Sequence, residues 1–199
     1  MADRRIIIGI SGASGTILGI RMLELLRPID DVETHLVMSP AAIRTMKIET
    51  EYAPEQVHAL ADQVHNFKDI GASIASGSFR NEGMIVAPCS VKTLSSIATC
   101  QAGDLLSRAA DVALKERRRL VLLFRETPLH AGHIALMDQA TRSGAIVMPA
   151  VMGTYYHPKS VMDIIDHLAG RALDLLGIES GTVKRWQGSA PGRNADDED

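Results

Sequence analysis

The 199-residue chain predicts an α/β fold, a parallel sheet flanked by helices in three layers. Three observations carry this. Apolar runs such as Ile6-Ile7-Ile8 and Leu120-Val121-Leu122-Leu123 are continuous, without the polar alternation of a strand wetted on one face. Segments of helical periodicity alternate with such runs, the pattern of parallel strands joined by right-handed crossovers. Turns rich in glycine, serine and proline stand where the strands end.

Arg5–Ile10 is the first strand. Ser11–Gly15 turns the chain, and Ile17, Ile20, Leu23 and Leu26 share one face of a helix that Pro28 and Asp30-Asp31 close. Glu33–Met38 is the second strand, after which Ser39 and Pro40 open a helix as N-cap and first-turn proline. Pro54 starts a helix expected to reach about Val64. The strand Met84–Ala87 is followed by helices over Thr93–Ala98 and Leu105–Glu116. Leu120–Phe124 is a strand, Gly132–Arg142 a helix and Ala145–Met148 a strand. The last helix, Ser160–Leu176, stops at Gly177, a natural C-cap. Met22, Met137 and Met162 occupy apolar helical positions and predict packing. The reading is one domain over residues 1–187 and a disordered acidic tail over 188–199.

Composition excludes several classes. Hydrophobic residues make up 46% and charged residues 23%, so the chain is neither disordered nor fibrous. Net charge is −3, all of it accounted for by Arg193 against four acids in the tail, which leaves a neutral body. Such a body offers no basic field for nucleic acid or an anionic membrane, and seven aromatic residues do not make a base-stacking platform. Two cysteines, Cys89 and Cys100, cannot build a disulfide framework. With neither a signal sequence nor a membrane span, the chain reads as cytoplasmic.

In open α/β sheets ligands sit beyond the carboxyl ends of the strands, so the loops there carry the chemistry. The first is Gly9-x-x-Gly12-x-x-Gly15 with Ser11 and Ser14 between, either an anion cradle or a tight turn with capping serines. Ser39 is expected as an N-cap. Pro88-Cys89-Ser90-Val91-Lys92-Thr93 again places hydroxyls at a strand-to-helix turn, with Cys89 a small half-buried residue rather than a nucleophile. Arg108 and Lys115 share a helix face, whereas Arg117, Arg118 and Arg119 answer a helix dipole. Arg125-Glu126 sets a cation beside an acid at a strand end, and Tyr155-Tyr156-His157-Pro158 follows the last strand. His130 and His133 lack a third ligand for a metal pattern, so no metal site is expected.

Taken in order, Gly12-Ala13-Ser14-Gly15, Pro88-Cys89-Ser90 with Thr93-Leu94, Arg108-Ala109-Ala110-Asp111 through Lys115-Glu116, Arg125-Glu126-Thr127-Pro128 and Arg185-Trp186 resemble the UbiX-type flavin prenyltransferases. That group includes the small subunits of phenolic (hydroxyarylic) acid decarboxylase systems. The resemblance runs from about Arg5 to Trp186 and implies a Rossmann-like, flavodoxin-like fold assembled as a homododecamer with FMN at subunit boundaries. It implies transfer of a dimethylallyl group from dimethylallyl monophosphate to N5 and C6 of reduced FMN. The product, prenylated FMN, would pass to a UbiD-type decarboxylase. By the same resemblance Gly12, Ala13, Ser14, Ser39, Ser90, Thr93 and Arg125 contact FMN. Lys115, Arg125, Tyr155 and Arg171 hold the substrate phosphate, with Arg108 contributing across the assembly. Glu49 and Glu126 are active-site acids, and Trp186 lies close by. Departures are Phe124 where the family pattern has proline, and His133-Ile134-Ala135-Leu136-Met137 where it has His-Leu-x-Asn-Met.

The chemistry agrees. Ionising an allylic monophosphate needs cations on the leaving group, which Arg108, Lys115, Arg125 and Arg171 provide, with the Tyr155 hydroxyl as a further donor. Glu126 can protonate the departing phosphate, and Glu49 or Ser14 can move a proton at the flavin. An FMN-dependent cysteine decarboxylase would carry an early active-site histidine and a Pro-Ala-Met-Asn-x-x-Met motif, neither of which is here. A non-catalytic FMN carrier would need no second phosphate site.

Overall fold

The computed structural model describes residues 4–186 and 188, so the expectation of a disordered tail falls outside the described residues except at Gly188. Its strands are β1 (Arg4–Ile10), β2 (Val32–Met38), β3 (Gln63–His65), β4 (Gly83–Cys89), β5 (Arg119–Phe124) and β6 (Ile146–Val147). Its helices are α1 (Ile17–Leu26), α2 (Pro40–Glu49), α3 (Pro54–His58), α4 (Val91–Ala98), α5 (Leu105–Lys115), α6 (Ala131–Arg142) and α7 (Val161–Leu175). All strands pair in parallel, in the order β3-β2-β1-β4-β5-β6. Setting aside the three-residue edge strand β3, this is the flavodoxin-like order, with its switch point between β1 and β4.

The continuous apolar runs are explained by burial on both faces. Ile6, Ile8 and Ile10 of β1 pack with Leu23 of α1 and Leu173 of α7, while Ile7 turns to the layer of Leu94, Leu106 and Ala140. Each fully buried Ile or Leu stabilises the fold by about 1.5–3 kcal/mol. Gly19 lets α1 lie flush on β4, because a Cβ there would sit 2.4 Å from the Ala87 carbonyl oxygen. A register shift between Val86 and Cys89 turns Cys89 toward Phe124 and the α4–α6 layer. Cys89 is therefore fully buried rather than half-buried, and desolvation raises the pKa of its thiol. Such a thiol is no nucleophile.

Three further expectations are corrected. The helix from Pro54 stops at His58, and Gln63–His65 adds to the sheet instead. The Asp62 carboxylate accepts from both the backbone N–H and the hydroxyl of Thr34 (2.7 and 2.8 Å), which pins the chain alongside β2. Of the three arginines expected to answer the α5 dipole, Arg118 instead donates to the carbonyls of Phe79 and Gly77 (2.8 and 2.7 Å), and Arg119 begins β5. Met22 is buried and Met137 packs on the core, but Met162 is exposed.

Beneath this sheet face lies a histidine pair. His35 of β2 is buried, its Nδ1 2.9 Å from His65 Nε2, and its Nε2 is 3.2 Å from Glu33 Oε1 but off the hydrogen-bond line. Desolvation first, with His65 and Arg5 adding to it, lowers the pKa of His35 against the opposing pull of Glu33. A base with a depressed folded pKa contributes stability that is complete above its unfolded value of about 6.5 and is lost as pH falls toward the folded one. The melting temperature of the parent should therefore fall more between pH 7.5 and 5 than that of His35→Gln. Parallel curves in calorimetry would remove the pair from the acid response.

Candidate functional site

At the β1–β4 switch point the two strand ends are bolted together by Ser11. Its hydroxyl donates to the Pro88 carbonyl and accepts from the Ser90 N–H, both at 2.8 Å, and Ser11 is buried. That hydroxyl is thus spent on the scaffold, a role that neither alternative for the glycine turn, an anion cradle or capping serines, describes. Beside the bolt opens a cleft of about 420 Å³ lined by Gly12, Ser39, Ser90, Thr93, Ser107 and Glu126, within the range of small-molecule sites.

Three helix N-termini converge on this cleft. Ser39 caps α2 by accepting from the Ala42 N–H at 3.0 Å. Ser90 caps α4, accepting from the Thr93 N–H at 3.3 Å and donating to the Thr93 hydroxyl at 3.1 Å. Asp104 caps α5 by accepting from the Ser107 N–H at 2.8 Å. The partial positive charge of the α2 and α4 ends is joined by Arg44 and Lys92 in the lining, a setting for a phosphate or another anion. Phe67 supplies an apolar wall. Arg44, Lys92, Ser107 and Phe67 were missed in the sequence. Lys92 stands next to Thr93 in the turn after β4, where the hydroxyls drew attention, whereas nothing local marks Arg44 or Phe67.

The glycine turn bends past the cleft to a different partner. Gly12 lines the cleft, Ala13 is half-buried and Ser14 exposed. Gly15, at φ +96°, and Thr16 both donate backbone N–H groups to Glu49 Oε2 (2.9 and 3.3 Å), and the Thr16 hydroxyl adds a third bond at 3.2 Å. The anion on the first turn of α1 is therefore the chain's own carboxylate. Desolvation pushes the Glu49 pKa up, but bonds from Ser14, Gly15 and Thr16 outweigh it, and the net shift is downward. Glu49 and Ser14, far apart in sequence, are brought together.

Glu126 follows β5 into the cleft, half-buried, with its Oε1 accepting from the Thr127 N–H at 2.9 Å. Arg125 is exposed beside it and outside the lining, and among the described residues no ion pair joins the two. The remaining sequence-predicted cations are not assembled within one chain. Arg108, paired with Asp111 at 2.8 Å, and Lys115, paired with Glu116, lie along α5 on the α4–α6 side of the sheet. Arg171, paired with Asp174 at 2.7 Å, lies on α7, which packs on the opposite face with α1. Tyr155 belongs with α7, its hydroxyl 3.3 Å from His167 Nε2 and its ring edge-on to Trp186 at 6.0 Å. His130 caps α6 through its own Nδ1, and among the described residues no cluster of metal-ligating side chains forms.

Comparison with known proteins gives a consistent picture. A family model described as Flavoprotein matches residues 1–173. The flavin prenyltransferase UbiX of Escherichia coli (strain K12) is 52% identical over 188 residues, 94% of this chain and 100% of that protein. The flavin prenyltransferase UbiX of Thauera aromatica is 54% identical over 185 residues, 93% of this chain and 95% of that one. A crystal structure of AnUbiX (PadA1) in complex with FMN and dimethylallyl pyrophosphate superposes with a TM-score of 0.91 at 51% identity, covering 94% of this chain and 99% of that one. A dodecameric FMN-dependent UbiX-like decarboxylase from Escherichia coli O157:H7 gives 0.90 at 48% identity, covering 92% and 100%. The FMN-dependent cysteine decarboxylase SpaF shares the fold alone, at 0.60 and 17% identity over 73% of this chain and 83% of that one.

Proposed function

The chain belongs to the UbiX-type flavin prenyltransferases of the flavoprotein family, and from that premise we propose that it transfers a dimethylallyl group from dimethylallyl monophosphate to reduced FMN. The observation that carries the reading is the cleft itself, where hydroxyls, the two cations Arg44 and Lys92 and three helix N-termini meet the carboxyl groups of Asp104 and Glu126. Gly12, Ser39, Ser90 and Thr93 would hold FMN there, with Ala13, Ser14 and Arg125 on its margin. When bound, reduced FMN supplies the nucleophilic N5 and C6 positions.

The chain's own groups do the rest. The carbon–oxygen bond of the allylic phosphate breaks with both electrons leaving on the phosphate oxygen. Charge therefore builds on the phosphate, where Arg108, Lys115, Arg125 and Arg171 would neutralise it and Tyr155 would donate. Glu126 would be the proton donor to that oxygen, and Glu49 or Ser14 would move a proton at the flavin. Cations on opposite faces of one sheet serve one phosphate if neighbouring chains complete each other's sites. Val151, Met152 and Val161 are more than 60% exposed, apolar surface of the kind that assembly covers. A homododecamer, a cytoplasmic location and delivery of prenylated FMN to a UbiD-type decarboxylase complete the proposal. No helix among the described residues is long and apolar enough to cross a membrane.

Anaerobic incubation with reduced FMN and dimethylallyl monophosphate, followed by mass analysis of the released flavin, tests it. The flavin should gain one five-carbon unit, and the active species should scatter light as an assembly well above the 21.5 kDa of one chain. Flavin bound but returned unchanged would instead make the protein an FMN carrier.

A further inference from the structure

His167 is the buried group that the reaction as described leaves unused. It is 6% exposed, on α7 one turn before Arg171, and stacks on Tyr156 with ring centroids 4.1 Å apart and planes 19° apart. Its Nε2 lies 3.3 Å from the Tyr155 hydroxyl, while its Nδ1 is buried with no partner among the described residues. A neutral imidazole carries one N–H. Placed on Nδ1 the proton would be a buried orphan donor, a rarer state than an under-satisfied acceptor. Placed on Nε2 it points at the Tyr155 oxygen. The phenol then accepts from His167, and its own O–H is left free to turn outward.

We propose that His167 is a positioning residue which, by donating to the Tyr155 oxygen from a ring clamped on Tyr156, aims the Tyr155 hydroxyl as a donor to the prenyl phosphate. This rests on the assignment of Tyr155 to the substrate phosphate under the proposed function. Desolvation first, and the nearby Arg171 charge second, lower the pKa of His167 against the pull of Asp174. It therefore stays neutral at pH 7 and adds no charge of its own to the phosphate site. Its contribution is direction: without it, the phenol rotor has no fixed acceptor role and donates to the phosphate in only part of its orientations.

The experiment compares His167→Leu, His167→Gln, Tyr155→Phe and the His167→Leu/Tyr155→Phe double variant in the FMN-loaded assembly. The readouts are prenyl transfer kinetics and, separately, calorimetric binding of inorganic phosphate. A weakened hydrogen bond to a charged group should lower kcat/KM for dimethylallyl monophosphate about tenfold in His167→Leu, through a raised KM and, because charge builds on the phosphate, a lowered kcat as well. His167→Gln, which keeps a side-chain N–H, should recover most of it. The double variant should be no worse than Tyr155→Phe alone. If leucine is not accepted in the fold, His167→Met removes the donor equally. Parental KM and phosphate affinity in His167→Leu, or a defect that adds to that of Tyr155→Phe, would overturn the proposal. A parent protein that transfers no prenyl group would overturn the proposed function instead, and phosphate affinity would still decide the role of His167.

Discussion

Glu126→Gln should slow prenyl transfer by about 10²–10⁴-fold while leaving FMN affinity and melting temperature near those of the parent, since general acid catalysis contributes on that scale. The structure gives the change little else to disturb. The Glu126 side chain accepts from the adjacent Thr127 N–H, a bond that a glutamine oxygen accepts equally well. Arg125 is not its ion-pair partner, so no buried charge is left behind. Anaerobic single-turnover absorbance with a melting curve alongside separates the outcomes. Turnover at the parent rate would remove Glu126 from proton transfer, and a lowered melting temperature with normal turnover would make it a loop anchor. Lys115→Ala should act differently, raising KM for the prenyl phosphate, because under the proposed assignment its charge would meet the phosphate already before ionisation.

Gly12→Val should damage fold and site together. A Cβ at Gly12 would lie 2.3 Å from the Ala41 Cβ and 3.3 Å from the Ala41 backbone, so the added side chain cannot be absorbed by rotating a flexible neighbour. The start of α2 must retreat, and Ser39 retreats with it from the cleft wall. Overpacking of this kind costs about 1–3 kcal/mol, which for a chain of this length lowers the melting temperature by roughly 2–10 °C. FMN affinity, read by fluorescence quenching, should fall more than tenfold. Gly103→Ala, whose added Cβ meets nothing within 4 Å, is the matched control. If Gly12→Val melts and binds flavin like that control, the close approach of the two loops plays no part in the site.

The order of elements was legible because it is local. The both-face burial of β1 and β5 writes itself as unbroken apolar runs, and Ser39 and Ser90 announce their helices with short polar side chains at the first turn. What escaped the sequence depends on distant partners. The strand Gln63–His65 exists because Asp62 reaches Thr34, 28 residues earlier. Ser11 was legible as a turn hydroxyl but not as the bolt to Pro88, 77 residues away. Arg44 and Lys92 became site residues only when α2 and α4 pointed their N-termini into one cleft. The cations that the family resemblance gathers into one set are divided by the sheet, a division that no linear pattern records.

The carboxylate of Glu49 on the first turn of α1 has one more consequence. Around the switch point the chain presents a polarity: a fixed negative group after the end of β1, and helix starts at α2 and α4 that are capped only by neutral serine hydroxyls. A ligand that is anionic at one end and neutral at the other is repelled from the first and drawn to the second. Two orientations of equal shape complementarity thus differ in electrostatic energy, and the difference is built into the backbone before any ligand arrives. A guest of that kind would meet, on the Glu49 side, an anion that the chain has already seated on its own backbone N–H groups.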